Sequence, residues 1–355
     1  MLGRRSRLFG TSADVIGAEV SEPMTPIETT VSFDMRSPSF GAPTQHLYAA
    51  ALEMSAYADK IGVDRIGLME HHGSDDGYLP QPFVLAGGMA AATKNVRLIL
   101  GAVILPLHDP VKVAEQIAIL DLMSNGRLKV IFGAGYVKSE FEMFGISLRD
   151  RGRLLDEHID TILRALRGER FEVNGRPVFV RPLPVQKPEE IIYVGGGVAA
   201  SAKRAARFGV GFGPINATTI AIFEDECRKL GREPGNFFRP CHRLPGIIML
   251  SEDPDRTWSL LEPHALHVVS EYAKWAAQEE NSNSPFKGLT TLDALRKSRM
   301  FAVWTPDELI ANADKVEDRG TFVFQPLVGG FPPDEGWKSL ELLEDVIPKL
   351  KSIKR

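Results

Sequence analysis

The sequence predicts a single α/β domain folded as a (β/α)8 TIM barrel, with a small side hairpin and an insertion after the seventh strand. Three observations carry that expectation. From about residue 29 onward, short β-branched apolar runs alternate with longer segments of 3.6-residue period. Eight such runs occur, each followed by a helical pattern, and a doubly wound open sheet rarely sustains eight units without a domain insertion. The run Val96 to Leu105 is continuously apolar, as in a parallel strand buried on both faces.

The elements follow in order. Thr29 to Phe33 forms the first strand and Gln45 to Gly62 the first helix. Arg65 to Met69 and a helix from Phe83 to Thr93 come next. After the third strand, Asp109 is the N-cap of a helix running from Pro110 to about Met123, with proline in the position helices favour. Leu128 to Phe132 is the fourth strand, followed by helices over Ser139 to Phe144 and Gly152 to Leu166. Phe171 to Phe179 reads as the side hairpin, because Asn174-Gly175 is a pair suited to a type I′ turn. Strands five and six are Ile191 to Val194 and Gly211 to Pro214, with helices Ala199 to Phe208 and Thr219 to Leu230 behind them. Strand seven spans Arg243 to Leu250 and precedes a helix from Pro254 to about Gln278. The polar stretch after Glu279 interrupts the rhythm before a helix from Pro306 to Glu317, a strand over Thr321 to Gln325 and a last helix from Glu335 to Leu350. Residues 1–27 read as a flexible N-terminal extension and 28–355 as the barrel domain.

Composition narrows the function. Hydrophobic residues at 44% and charged residues at 25% fit a soluble protein with a large core. A net charge of −4 gives no electrostatic footprint for nucleic acid, and no apolar run is long enough to span a membrane. Two cysteines, Cys227 and Cys241, suit a reducing compartment, hence the cytoplasm. Arg4 and Arg5 are followed by acids at Asp14, Glu19 and Glu22 rather than by an apolar stretch, which is no export signal.

In such a barrel the chemistry sits on the loops after the strands. Those positions carry Glu70-His71-His72-Gly73, Leu105 to His108, Gly133-Ala134-Gly135-Tyr136, Gly195-Gly196-Gly197 and Gln325 to Gly330. Glycine at the ends of strands four and five allows close approach of a flat ligand or a phosphate. The triplet Gly195 to Gly197 opens a helix whose free N–H groups suit an anion, with Ser201 as a hydroxyl donor, although such a triplet is often only a tight turn. Adjacent His71 and His72 point opposite ways in extended chain, so at most one faces the mouth. No further cluster completes a metal set, and none is expected. A role for His71 or Glu70 in proton transfer is the better functional reading.

An ordered set of motifs sharpens this. Met69-Glu70-His71-His72, Leu105 to Val111, Asp121 to Leu128, Gly133 to Tyr136, Glu140 to Gly145, Arg149 to Glu157, Tyr193 to Gly196, Gly329 to Pro333 and Leu340 to Leu343 together resemble the bacterial luciferase-like monooxygenase family over roughly residues 29 to 350. The resemblance implies a barrel that binds FMN or the 8-hydroxy-5-deazaflavin coenzyme. It implies that His71 assists proton transfer near the flavin with Glu70 beside it. It places a non-prolyl cis peptide at Gly101-Ala102 under the ring, and Gly133, Gly135 and Tyr136 beside it. Gly195, Gly196, Gly197 and Ser201 would hold the cofactor phosphate.

Where luciferase has cysteine and arginine on strand four, this chain has Gly133 and Ala134. The first change argues against light-emitting aldehyde oxidation. The second leaves Arg153 or Lys203 to supply charge for the phosphate. Glu279 to Gly288 falls where relatives carry a mobile loop, and Phe40, Tyr78, His108, Phe212 and Trp304 would line an apolar pocket. The resemblance implies a homodimeric FMN-dependent monooxygenase acting on a small hydrophobic organic substrate with O2, supplied by a separate NAD(P)H:flavin reductase. A deazaflavin-dependent dehydrogenase or reductase that moves hydride without O2 is the alternative, and a non-catalytic flavin-binding protein is a third reading.

Overall fold

The computed structural model describes residues 26–236, 238, 243–278, 286–316 and 320–353. The chain begins β1 (Glu28–Phe33), α1 (Thr44–Ile61), β2 (Arg65–Leu68), α2 (Pro82–Ala92) and β3 (Arg97–Ile104). It continues with α3 (Pro110–Ser124), β4 (Leu128–Gly133), α4 (Lys138–Met143) and α5 (Arg151–Leu166). The side hairpin β5 (Phe171–Val173) and β6 (Arg176–Val178) precedes α6 (Pro188–Ile191), β7 (Ile192–Gly196), α7 (Ala199–Phe208), β8 (Gly211–Pro214) and α8 (Ala217–Lys229). The last third holds β9 (Ile247–Leu250), α9 (Pro254–Ala277), α10 (Leu292–Lys297), β10 (Phe301–Trp304), α11 (Pro306–Ala311), β11 (Thr321–Phe324) and α12 (Pro333–Ser352).

Local chemistry explains the boundaries. Asp109 accepts hydrogen bonds from Val111 N (2.9 Å) and Lys112 N (3.2 Å), which satisfies two donors at the start of α3. Asn125, in left-handed conformation, closes that helix. In the hairpin turn both Asn174 (φ 50°) and Gly175 (φ 73°) have positive φ, which a type I′ turn requires.

Nine strands form one parallel sheet in the order β10-β9-β11-β1-β2-β3-β4-β7-β8. The register brings Val31 beside Ile66 on one side and Phe324 on the other, so the chain's first and last strands are neighbours. Because all pairs are parallel, every β-to-α loop emerges at one end. Val31, Phe33, Ile66, Leu100, Val130 and Phe132 are fully buried between the sheet and its helices. Among the described residues the ladder ends at β8 and β10, which are not paired with each other. Beyond β8, Phe212 N donates to Asn236 O (2.9 Å) and Phe238 N donates to Phe212 O (3.2 Å).

Three elements differ from the sequence reading. Phe301–Trp304 is a ninth strand that pairs with β9, and its four residues are too few to show a period. The seventh strand is shorter than expected, since Arg243 lies in a turn and pairing starts at Ile247. The helix after Pro306 ends at Ala311 and gives way to a 3-10 turn over Ala313–Lys315. Ile27 is buried, whereas the rest of the expected extension up to residue 25 lies outside the described residues. No helix among the described residues is long and apolar enough to cross a membrane.

Candidate active site

The loops after β2, β3 and β4 bring two imidazole–carboxylate groups together. His71 and His72, just past the end of β2, engage different acids. His71 Nδ1 lies 2.8 Å from Glu140 Oε1, and His72 N donates to the same oxygen at 2.9 Å. A carboxylate accepts, so Nδ1 is the donor in this contact and Nε2 is left facing the aromatic cage. Glu140 comes from α4 and is buried, and its Oε2 has no hydrogen-bond partner among the described residues.

Glu70 organises the second group. Its Oε1 accepts from His72 Nε2 (2.7 Å) and His108 Nε2 (2.5 Å), and its Oε2 accepts from Ile104 N (2.8 Å). Burial alone would raise its pKa, but the hydrogen bonds from His108 and His72 pull it down to about 2. The ligand atoms of Glu70, His72 and His108 lie within 4.8 Å of one another. Their N···O separations are hydrogen-bond lengths, however, and shorter than the roughly 3.3 Å between two ligands on one tetrahedral zinc. The geometry is that of a proton-bridged triad tying the end of β2 to the end of β3.

Aromatic rings enclose His71. Tyr78 and Trp275 stack on it with centroids at 4.8 and 4.4 Å, while Tyr272 and Tyr136 approach edge-on at 5.8 and 6.0 Å. The Tyr78 and Tyr272 hydroxyls are 2.7 Å apart. Trp275 and Tyr272 belong to the C-terminal half of α9, so this helix walls the imidazole off from water. Phe286 stacks on Tyr272 at 4.4 Å. It follows the insertion after β9, of which residues 279–285 lie outside the described residues.

Beside this cage glycines of β3, β7 and β8 gather around Ile131 of β4. A Cβ at Gly101, Gly195 or Gly213 would stand 2.8 to 2.9 Å from the Ile131 side chain, so glycine on three strands makes room for one β4 residue. The Gly101–Ala102 peptide is cis. Gly101, Ala102, Gly133, Gly135, Gly195 and Gly196 are partly exposed although they lie within or just past interior strands. Such a surface can take a flat ring against bare backbone, which fits a flavin or deazaflavin.

At the end of β7, Gly195 to Gly197 lead into α7 as the sequence suggested. Ser201 is buried, and its Oγ donates to Val198 O (2.7 Å), so its hydroxyl is held within the helix start. Arg153 pairs with Asp150 and Glu157 on the surface, and Lys203 Nζ lies 3.9 Å from Glu226. Phe212 does not line the mouth. It is fully buried against Phe223, because the strand alternation turns its ring outward into the helix layer. Phe40 stands half exposed on the rim, edge-on to His264 and His267. Trp304 is partly buried against the main core.

The family model described as "Luciferase-like monooxygenase" matches residues 31–320. This chain belongs to the luciferase-like monooxygenase family. Among its relatives is the oxygenase component of the flavin-dependent trigonelline monooxygenase of Acinetobacter baylyi. The two are 29% identical over 245 residues, which is 67% of this chain and 64% of the relative. Over the curated relatives generally the match spans about half of their length. Among solved structures, monooxygenase RslO1 from Streptomyces bottropensis superposes with a TM-score of 0.71 at 25% identity, covering 91% of this chain and 99% of that one. An F420-dependent secondary alcohol dehydrogenase shares the fold with a TM-score of 0.61 at 19% identity, covering 91% and 99%.

For this luciferase-like chain the sequence singled out Glu70 and His71 but not Glu140, which hydrogen-bonds His71, nor Arg36. Glu140 sits in a quoted motif, yet nothing in a helix bearing both Glu140 and Glu142 says which acid turns inward. Arg36 follows β1 with no motif around it. Its place became visible only with the fold.

Proposed function

We propose that this luciferase-like protein is an FMN-dependent monooxygenase acting on a small hydrophobic organic substrate. The observation that carries the reading is His71, fixed through Nδ1 by Glu140 and set beside a backbone floor suited to a flat ring. Reduced FMN, when bound, supplies the two electrons with which one atom of O2 enters the substrate and the other leaves as water. Gly101, Ala102, Gly133, Gly135 and Tyr136 take the ring, and the amides of Gly195 to Gly197 at the start of α7 take the phosphate with Ser201 shaping that turn. His71 Nε2 moves the proton. Glu70 holds His72, His108 and the end of β3 in register. The aromatic wall of Tyr78, Tyr272 and Trp275 keeps water from the reacting centre.

The sheet closes into the (β/α)8 barrel of the family in this reading, and the chain works in the cytoplasm. The name of the Acinetobacter relative, an oxygenase component, supports a separate reductase as the source of reduced flavin. The test is titration of the purified protein with FMN, reduced FMN and the deazaflavin coenzyme, with oxygen uptake recorded alongside. Reduced FMN is expected to bind and to support substrate-dependent oxygen consumption. Tight deazaflavin binding without oxygen consumption would sink this reading in favour of hydride transfer, and binding of none of the three removes the coenzyme assignment.

The homodimer is supported by the outer faces of α2 and α3. Val84 is 71% exposed, Met123 50% and Ile119 46%, and they line one groove with Gly87, Lys112 and Gln116. Exposed apolar side chains gathered on neighbouring helices mark an interface. Light scattering is expected to give twice the chain mass, and Val84→Glu to shift it to a single chain. A monomeric wild-type protein rules the dimer out.

A further inference from the structure

Arg36 has no exposed surface, and its guanidinium is an unusual thing to bury so close to a candidate proton carrier. It leaves the end of β1 through Met35, which holds φ at 60°, a conformation that L side chains rarely adopt. The backbone thus turns sharply to carry Arg36 inward. One guanidinium nitrogen pairs with Asp76, and the Tyr272 hydroxyl lies within reach of the guanidinium, while Nε and Nη2 make no well-formed hydrogen bond among the described residues. What they meet instead is aromatic. The guanidinium carbon stands 4.1 Å from the Tyr78 centroid and 5.3 Å from those of Tyr272 and Trp275.

Those three rings are the ones that enclose His71. Tyr78 is touched by the guanidinium and by the imidazole alike. A desolvated cation over aromatic faces is attracted by their quadrupoles and fixes their tilt. The anchor itself is fixed in turn. Asp76 also accepts from Ser74 Oγ (2.5 Å) and Tyr78 N (3.2 Å) and pairs with His267 Nε2 (2.7 Å) on α9. Asp34 Oδ1 accepts from Arg36 N (3.1 Å) and its Oδ2 from Gly329 N (3.0 Å). Arg36 is therefore tied through Asp76 to the loop after β2 and to α9, and through its backbone and Asp34 to the end of β11.

We infer that Arg36 is a positioning residue for His71, acting through the ring faces of Tyr78, Tyr272 and Trp275. Glu140 sets which imidazole nitrogen holds the proton, and Arg36 sets the plane in which the ring is held. The inference rests on the proton-transfer reading of His71, but its decisive measurement does not need the coenzyme.

The full-length protein, labelled with 15N-histidine, gives long-range proton–nitrogen correlations for His71, assigned by loss of its signals in His71→Gln. Wild type is expected to show a protonated Nδ1 and a bare Nε2. Arg36→Gln keeps a donor for Asp76 but removes the cation, and should give averaged nitrogen shifts and about tenfold lower kcat at unchanged KM. Arg36→Lys, which restores a cation, should recover the wild-type pattern and most of the turnover. A folded Arg36→Gln protein with wild-type His71 signals and turnover overturns the inference. Should that variant fail to fold, Tyr78→Leu removes the shared ring while leaving the Arg36–Asp76 pair, and an unchanged His71 pattern there overturns it equally. Failure of the proton-transfer reading would show separately, as full turnover in His71→Ala with the nitrogen shifts still responding to Arg36.

Discussion

His71→Ala is expected to lower turnover by ~10²–10⁴-fold, the usual worth of a positioned acid–base group, while coenzyme affinity stays within a few-fold. The imidazole is enclosed by Tyr78 and Trp275 and hydrogen-bonded to Glu140, whereas the floor proposed for the ring is made of backbone at Gly101, Gly133 and Gly195. Chemistry and binding therefore rest on different atoms and should separate. Glu140→Gln tests the same point from the other side. Its amide can still contact Nδ1 but no longer requires a proton there, so turnover falls by a smaller factor. The double variant should lose little more than His71→Ala alone, since Glu140 acts through the ring that is gone. Steady-state kinetics with separate coenzyme titrations read all three. Unchanged turnover in His71→Ala would return the residue to a purely structural part.

The second large effect is on stability. Glu70→Ala strands the buried donors His72 Nε2 and Ile104 N and the partly buried His108 Nε2, which share one carboxylate. At roughly 1–3 kcal/mol for each unsatisfied group, a loss of about 3–5 kcal/mol in unfolding free energy is expected by urea titration. The pH dependence identifies the source. The folded pKa of Glu70 is depressed from 4.5 to about 2. Its contribution of ~3 kcal/mol is therefore complete above pH 4.5 and disappears as the pH falls toward 2.

Asp34 runs the other way. Burial raises its pKa from 3.8 to about 6 against the opposing charge of Arg36. The fold consequently loses stability as the pH climbs through that interval. Subtracting the Glu70→Ala curve from the wild-type curve cancels the Asp34 part and should leave a step between pH 4.5 and 2. A flat difference would show that the triad contributes nothing through ionisation.

Much of this architecture was legible because its signals are local. A β-branched run, the Asp109 cap and the Asn174-Gly175 turn each act within a few residues, and each structure follows from its own chemistry. His71 was legible because it stands at a strand end, where the fold class alone concentrates chemistry. The partners that define its state were not. Glu140 lies 69 residues away in sequence and Trp275 more than 200, and no period or spacing connects them to His71. Phe212 shows the converse error. A short strand of four residues flanked by glycine gives no pattern that tells its two faces apart, and the ring went to the helix layer.

At Ile131 three strands withhold side chains, and a fourth supplies the single group that fills the space between them. The depth of the mouth is thus a property of one position on β4 rather than a compromise among many.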